Sequence, residues 1–326
     1  MPPHFDGGGL FLKRNVRSVM NYYKIHYIFS LLILIYFLIN CTSLKIQLDP
    51  KSKEFYEKAR LIMSKEEKDI FLHLPDRKSR EEFIKEFWEK RDPDPQTEEN
   101  EFKEEFFRRI EYANKYFNEG ISGWKTDRGR IYIYFGPPDK IEQRPVLNRP
   151  DIKGYLLWIY YRYRFAIEFI DKRGDGSYKF DPYSGVYGSF FDAMERAKFG
   201  LIYKEEDFPL KFMDFNLKYD KKEKKIIISV PLKSIYFIEE NGRLKANFEF
   251  EFYIYEKGKP LKYIFRESRH FEETENQLLE KDFLKFKFSF DNLKSGNYYF
   301  DVIIKVEPNI NKARKIFKIT IQDDEN

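Results

Sequence analysis

The chain has 326 residues, of which 42% are apolar and 19% are aromatic, and this is enough to fill the cores of about two ordinary domains. Charged residues make up 35% of the sequence, which excludes a protein that crosses a membrane many times, because each crossing needs about 20 mostly apolar residues. The 59 basic and 54 acidic residues are interleaved, and this near-balance argues against binding to nucleic acid.

An apolar run at residues 27–39 follows a basic N-terminal stretch. Its length is typical of the central part of a signal peptide and is short for a membrane-spanning helix. We therefore predict a signal peptide at residues 1–40, with Met20 as an alternative start. A short tether is predicted at residues 41–50.

Cys41 is the single cysteine of the chain, so no intramolecular disulfide can form. The stretch Leu38-Ile39-Asn40-Cys41 resembles the processing site of bacterial lipoproteins, in which the cysteine receives a diacylglyceryl group and becomes the new N-terminus. The resemblance implies that Cys41 anchors the protein to a membrane of the bacterial cell envelope, facing the periplasm or the cell surface. Asn40 is larger than the residues usual before the cysteine, which leaves the efficiency of cleavage open. The alternative is an uncleaved signal anchor with an unmodified cysteine.

Residues 51–204 are predicted to form an α+β domain that begins with amphipathic helices. Apolar residues recur there at i, i+4 spacing, so each helix has a face to bury. Capping residues predict where these helices begin. The predicted helix starts are the capping boxes Ser64 with Glu67 and Ser79 with Glu82, and a third start near Thr97. A further helix is predicted at residues 190–199.

Alternating apolar residues predict a small antiparallel sheet within this domain, with strands at residues 130–135, 156–163 and 165–171. The turn after the third strand carries Asp171, Asp175 and Ser177, whose oxygens could surround Ca²⁺. Their spacing lacks the acidic alternation and distal glutamate of an EF-hand loop, which favours a plain turn. A second alternative is that Tyr155, Tyr160, Tyr161 and Tyr163 stack on sugars, although aromatic residues in strands mostly pack sheets.

Residues 205–326 are predicted to form an all-β, immunoglobulin-like sandwich. Apolar and polar residues alternate through most of this region, which gives each strand one inward and one outward face. About seven strands in roughly 115 residues match the size of an immunoglobulin-like domain. They are predicted at residues 213–219, 225–232, 246–254, 261–271, 284–290, 298–306 and 313–321. The order of the strands in the two sheets stays open.

The segment Gly123-Trp124-Lys125-Thr126-Asp127-Arg128-Gly129 leads into a predicted strand that ends at Gly136-Pro137-Pro138. It matches the GWxTD motif, and residues 80–180 resemble the bacterial GWxTD domain proteins. The motif positions are Gly123, Trp124, Thr126, Asp127, Arg128, Gly129, Gly136 and Pro138. The resemblance implies an exported or envelope protein with a β-rich region after the motif, and it brings no catalytic assignment.

We predict that the motif is a structural clasp that joins the helices to the sheet. Thr126 and Asp127 are good turn and cap formers, and Trp124 has a large surface to bury. The alternative is an envelope enzyme, hydrolase-like, in which Asp127, Arg128 and Glu101 line a polar pocket. One carboxylate would then act as a base, and the arginine would orient an anionic substrate.

Common catalytic and metal-binding patterns are absent from the sequence. After Cys41 it contains only His73 and His270, and it has no GxSxG, HExxH or phosphate-binding glycine loop. We therefore predict no metal and no cofactor. The predicted function is a non-catalytic interaction or assembly module that binds other envelope proteins, by analogy with other sandwich domains that serve recognition.

Overall fold

The computed structural model describes residues 48–143, 150–181, 187–188, 190–200, 213–290, 293–307 and 311–322. The predicted signal peptide, Cys41 and the predicted boundary between residues 204 and 205 lie outside these ranges. From Leu48 onward the chain forms one compact unit. Within the described ranges, no helix is both long and apolar enough to span a membrane.

Four helices form the first layer of the molecule. They are α1 (Pro50–Ala59), α2 (Lys65–His73), α3 (Arg77–Glu89) and α4 (Glu101–Tyr116). The predicted capping box at the start of α2 is confirmed, because the amide of Glu67 donates to Ser64 Oγ at 3.1 Å and the amide of Ser64 donates to Glu67 Oε2 at 3.0 Å.

The starts of α3 and α4 differ from the prediction, because acidic or amide side chains cap them in place of hydroxyls. Asp76 caps α3, and its Oδ1 accepts a hydrogen bond from the amide of Ser79 at 2.8 Å. Asn100 caps α4, and its Oδ1 accepts from the amide of Lys103 at 2.8 Å. Asp and Asn cap helices as well as Ser does, so a helix start placed at a Ser or Thr is wrong for both helices.

The strand predicted at residues 130–135 is wrong, because these residues belong to the helix α5 (Asp127–Phe135). Ile131, Ile133 and Phe135 alternate as in a strand, yet the helix buries apolar side chains on two sides. Ile133 packs with the other helices, whereas Ile131 and Phe135 pack with the sheet that follows. Such a short buried segment cannot be assigned by periodicity alone.

The predicted antiparallel sheet is present, with its strand order β1-β2-β3-β4 and with β5 also paired to β3. Its strands are β1 (Lys140–Gln143), β2 (Gly154–Tyr160), β3 (Phe165–Asp171), β4 (Lys179–Phe180) and β5 (Tyr187–Gly188). Helix α6 (Phe190–Lys198) follows and buries Phe190, Ala193 and Ala197 in the same core as the sheet.

The C-terminal region is the predicted β-rich part of the chain and consists of two packed antiparallel sheets. Its elements are β6 (Asn216–Asp220), β7 (Lys225–Pro231), β8 (Ile238–Glu240), β9 (Arg243–Glu256), β10 (Leu261–Thr274), α7 (Glu275–Leu279), β11 (Phe283–Ser289), β12 (Gly296–Glu307) and β13 (Asn311–Ile321). The larger sheet has the order β10-β9-β12-β13, and β8 pairs with β9; the smaller sheet has the order β11-β7-β6.

The structure gives the strand order of the two sheets, which sequence analysis left open. Apart from the short β8, the fourth strand of this region is β10, which pairs with β9 in the larger sheet. In a constant-type immunoglobulin domain the fourth strand lies in the other sheet. The inner faces meet through aromatic rings such as Phe250, which lies 4.9 Å from both Phe286 and Phe288 between ring centroids.

The larger sheet is buried on both faces. Its inner face packs against the smaller sheet, and its outer face packs against the helices. Tyr253, Tyr255 and Tyr299 of this outer face share one apolar core with Phe83 and Phe87 of α3. The molecule is therefore layered as helices, larger sheet and smaller sheet, and the sandwich and the helices depend on each other for burial.

Candidate functional site

The GWxTD motif begins with a 3-10 turn, Gly123–Lys125, that lies directly against α4. A Cβ atom at Gly123 would lie 1.8 Å from the carbonyl oxygen of Ala113. A Cβ atom at Gly129 would lie 2.0 Å from the carbonyl oxygen of Gly123. Both glycines therefore permit a backbone approach that a larger residue would block.

Thr126 and Trp124 connect this turn to its surroundings. Thr126 is 1% exposed, and its Oγ1 donates to the carbonyl oxygen of Gly123 at 2.7 Å and accepts from the amide of Gly129 at 3.0 Å. It is thus the N-cap of α5. The indole of Trp124 packs against both the core of the helices and the core of the first sheet.

Asp127 and Arg128 tie the start of α5 to the first sheet. Asp127 Oδ2 accepts a hydrogen bond from the amide of Phe180 in β4 at 3.0 Å. Arg128 donates from Nη2 to Glu119 Oε1 at 2.8 Å and to the carbonyl oxygen of Gly176 at 3.0 Å. The carboxylate of Glu119 is almost fully buried, so the arginine supplies the charge that this carboxylate needs.

The end of α5 is fixed by Gly136 and by a side chain from α4. Gly136 has a φ of 75°, which a residue with a side chain rarely adopts. Arg109 Nη1 donates to two carbonyl oxygens of the last turn at 3.1 Å each. The buried Tyr160 hydroxyl donates to the carbonyl oxygen of Gly136 at 3.1 Å. Pro138 follows as a half-buried residue before β1.

The three residues of the enzyme alternative are not brought together. Glu101 is the first residue of α4, and its Oε1 accepts from Thr97 Oγ1 at 2.8 Å. The motif turn contacts α4 at Ala113, a rise of about 18 Å further along the helix axis. Asp127 and Arg128 therefore lie near the opposite end of α4 from Glu101, and the carboxylate that Arg128 meets is Glu119.

The oxygen-rich turn after β3 is held by its own backbone. Asp171 Oδ1 accepts from the amides of Arg173 at 3.0 Å and Gly174 at 2.8 Å, and Oδ2 accepts from Gly176 at 2.8 Å. Burial acts to raise the pKa of Asp171, but these amides keep that pKa below its ordinary value. No group of three or more possible metal ligands occurs in the part of the chain that the structure covers.

The four tyrosines of the sugar alternative do not share one surface. Tyr160 and Tyr163 are buried in the core of the first sheet, where their rings contact Phe135 and Phe165. Tyr161 is 62% exposed. Packing of the sheet therefore uses the two buried rings.

A second arrangement, which sequence analysis did not identify, lies between the helices and the larger sheet. We call it the ion cluster, and it consists of Glu67, Lys90, Arg91, Asp301 and Arg314. The side chains of all five are at most 1% exposed. Glu67, Lys90 and Arg91 come from the helical layer, whereas Asp301 of β12 and Arg314 of β13 come from the sandwich.

The ion cluster is continuous across the two layers. Arg91 donates two hydrogen bonds to the carboxylate of Glu67, at 3.0 and 2.7 Å. Arg314 Nη2 bridges Glu67 Oε1 at 2.8 Å and Asp301 Oδ2 at 2.7 Å. Lys90 Nζ donates to Asp301 Oδ2 at 2.9 Å. Each carboxylate is thus shared by two cations.

Burial and charge act in opposite directions on these groups. Burial alone would raise the pKa of Glu67, but the charges of Arg91 and Arg314 lower it to about 2. The pKa of Asp301 is likewise held well below its ordinary value by Arg314 and Lys90, against the effect of burial. Both carboxylates are therefore ionised at neutral pH, and the cluster is a set of paired charges.

One sequence feature could have indicated this cluster. Asp301 stands in the middle of the otherwise apolar stretch Tyr298-Tyr299-Phe300-Asp301-Val302-Ile303-Ile304, and a buried acid requires a partner. Its partners are Arg314, 13 positions further on in the next strand, and Lys90 of the helical layer, 211 positions earlier, and only the fold shows which cations reach it. The Glu119 partner of Arg128 lies only nine positions before it, but sequence analysis placed Glu101 beside Arg128.

Comparison with known families supports the resemblance stated above. Residues 49–174 match the GWxTD domain, so the resemblance described for residues 80–180 is confirmed and extends back to the start of α1. Comparison with curated proteins gave no match. The matched region contains α1 to α5, the motif, and β1 to β3. Phe180 of β4 and Gly176, which Asp127 and Arg128 contact, lie just beyond it. The chain therefore contains a GWxTD domain at residues 49–174.

Proposed function

We propose that this protein is an exported, lipid-anchored protein of the bacterial cell envelope that acts as a non-catalytic interaction or assembly module. The anchor part of the proposal rests on the sequence before and including Cys41. The module part is supported by the contacts of the motif, in which the polar groups of Thr126, Asp127 and Arg128 are engaged by neighbouring backbone or by Glu119. Groups engaged in this way serve structure.

An exposed aromatic surface beside the motif is the observation that carries the interaction proposal. Tyr112 and Tyr116 of α4 are 40% and 53% exposed. The Tyr112 ring stacks on Tyr132 of α5 with centroids 4.4 Å apart and also lies 4.3 Å from Tyr116. Grouped, exposed tyrosines are typical of the centre of a protein interface, because they offer large area at low entropic cost.

The alternative function is an envelope enzyme, hydrolase-like, that works with carboxylates and arginine at the motif. The distance of Glu101 from Asp127 along α4 weighs against it, as does the pairing of Arg128 with the buried Glu119. We therefore favour the interaction module and propose its contact surface at Tyr112 and Tyr116.

Site-specific photo-crosslinking in intact cells tests the interaction proposal. A photo-reactive amino acid at position 116 should give a reproducible crosslinked protein. The same residue at position 161 is the control and should not, because Tyr161 is also exposed, on the turn between β2 and β3, but is not part of the proposed surface. Tyr112→Ser together with Tyr116→Ser should reduce capture of that partner. Equal crosslinking at both positions, or none at position 116, would overturn the proposed surface.

Mass spectrometry of the mature N-terminus tests the anchor separately. We expect a lipid-modified Cys41 as the first residue and loss of membrane association in Cys41→Ser. A mature chain that retains residues 1–40 with an unmodified cysteine would contradict the lipoprotein proposal and would leave the photo-crosslinking result to be judged by itself.

A further inference from the structure

A groove of about 970 Å³ lies between the helical layer and the outer face of the larger sheet. It is distinct from the motif and lies beside the ion cluster. Its helical side includes Trp88, Asp92 and Pro95, and its sheet side includes Glu251, Lys305 and Lys312. The groove is large enough for a small molecule with both a polar and an apolar part.

Two lysines of this groove face each other across neighbouring strands. Lys305 of β12 and Lys312 of β13 are direct cross-strand partners, and like charges in this position destabilise a sheet. Lys305 is compensated, because its Nζ lies 3.0 Å from Glu251 Oε1. Lys312 is different: among the described residues, its Nζ makes only a long contact of 3.5 Å, to the carbonyl oxygen of Lys90.

The charge of Lys312 is therefore poorly compensated. Among the residues that the structure describes, no carboxylate oxygen lies within 4.0 Å of its ammonium group. Burial, followed by the charges of Lys305 and Arg314, lowers the pKa of Lys312 to about 8. An added anion binds most favourably to a cation that is partly desolvated and lies beside other cations.

The two carboxylates of the groove that act most on the charge of Lys312, Glu251 and Asp92, are already engaged. Glu251 pairs with Lys305 and also with Arg266 Nε at 3.4 Å. Asp92 Oδ1 accepts from the amide of Asp94 at 3.1 Å, and Asp92 does not reach Lys312 within ion-pair distance. On the same side of the sheet, Arg314 Nη1 is buried with no hydrogen-bond partner among the described residues. Donors thus exceed acceptors around Lys312.

We propose that this groove binds a small ligand through an oxyanion, a carboxylate or a phosphate, that pairs with Lys312 beside Lys305. The oxyanion supplies the negative charge that the described residues do not place beside Lys312. The apolar part of the ligand lies along Trp88 and Pro95, which line the opposite side of the groove. The site is independent of the proposed contact surface at Tyr112 and Tyr116.

Calorimetric titration of the full-length chain, purified in a non-ionic detergent, tests this proposal. The probes are sodium sulfate, a tetrahedral oxyanion like phosphate, and sodium acetate, and neither of them titrates near pH 8. Because the pKa of Lys312 is lowered to about 8, anion binding measured at pH 8 should be accompanied by proton uptake. The measured heat should therefore depend on the ionisation enthalpy of the buffer. Preference for sulfate indicates a phosphate ligand, and preference for acetate indicates a carboxylate.

Variants at Lys312 make the test specific. Lys312→Met should weaken anion binding about tenfold or more, because a charge-assisted hydrogen bond is lost. Lys312→Arg should retain binding but lose the dependence of the heat on the buffer, because arginine stays charged. Lys218→Met is the matched control, since Lys218 is exposed on β6 of the other sheet. No saturable binding of either anion, or equal binding by Lys312→Met, would overturn the proposal.

Discussion

Gly123 illustrates how a single residue of the motif determines the packing of three elements. The α-carbon of Gly123 lies against the backbone of α4. Its carbonyl oxygen accepts a hydrogen bond from Thr126 and lies against Gly129. There is no space for a methyl group on either glycine. The glycines of the motif are thus explained by the close approach of the 3-10 turn, α4 and α5, and no ligand is needed to explain them.

Gly123→Ala should therefore destabilise the protein strongly. The added Cβ would lie 1.8 Å from the carbonyl oxygen of Ala113, so the turn must move away from α4, and we expect a loss of about 3 kcal/mol in the free energy of unfolding. Urea denaturation measures the loss. Ser122→Ala is the matched control, because Ser122 is exposed and makes no capping hydrogen bond. Similar stability of both variants would contradict the packing argument.

Substitutions of Asp127 distinguish a structural role of this residue from a catalytic one. Its carboxylate accepts from the amide of Phe180, so Asp127→Ala should lower the free energy of unfolding by about 1 kcal/mol. Asp127→Asn should lower it less, because an amide oxygen can still accept this hydrogen bond. Denaturation curves of the two variants test this order. A fully stable Asp127→Ala protein that loses its activity in cells would instead favour chemistry at this residue.

At the scale of elements, α5 depends on its cap because it is short. A helix of this length is marginal by itself, and its first turn is closed by the Thr126 hydroxyl. We expect Thr126→Val to cost about 2 kcal/mol, since the hydroxyl is buried and both of its hydrogen bonds are lost. Thr126→Ser should remain within about 0.5 kcal/mol of the parent. Thermal unfolding of the two variants provides the comparison.

The elements also show what sequence could and could not predict. Seven strands of the sandwich were predictable because apolar residues alternate along them, whereas the short β8, whose three residues are all exposed, was not predicted. Helix α5 was not, because Ile131, Ile133 and Phe135 serve two different cores and imitate a strand. The cap of α5 was predictable from Thr126, whose type favours caps. The hydrogen bond between Asp127 and the amide of Phe180 follows only from the fold.

At the scale of the whole molecule, the ion cluster makes the helices and the sandwich one structural unit. Its two carboxylates each bind cations from both layers, and the apolar core beside it is also shared. Removal of one partner would leave a buried charge without compensation, which is strongly destabilising. We therefore expect one cooperative unfolding transition for both layers.

Acid should weaken the ion cluster in a defined range of pH. Glu67 has an ordinary pKa of 4.5 and a folded pKa of about 2. Its contribution to stability is complete above about pH 5 and is lost as the pH falls through about 2. Glu67→Gln should lose about 3 kcal/mol at neutral pH and should show a flatter decline in acid. Glu57→Gln, at an exposed carboxylate of α1, should follow the parent. Denaturant titrations across this range measure both effects.

The contacts between the helices and the sandwich have a consequence for how the chain folds. Arg314 meets Glu67 across 247 positions, and Tyr299 meets Asp69 across 230. Tyr255 of β9, which also covers the helices, meets Glu86 across 169 positions. Separations of 169 to 247 positions correspond to a delay of about 10 to 50 s at ordinary synthesis rates. Contacts so distant in sequence slow folding. We therefore expect the nascent helices to keep an uncovered apolar face until these strands have been synthesised.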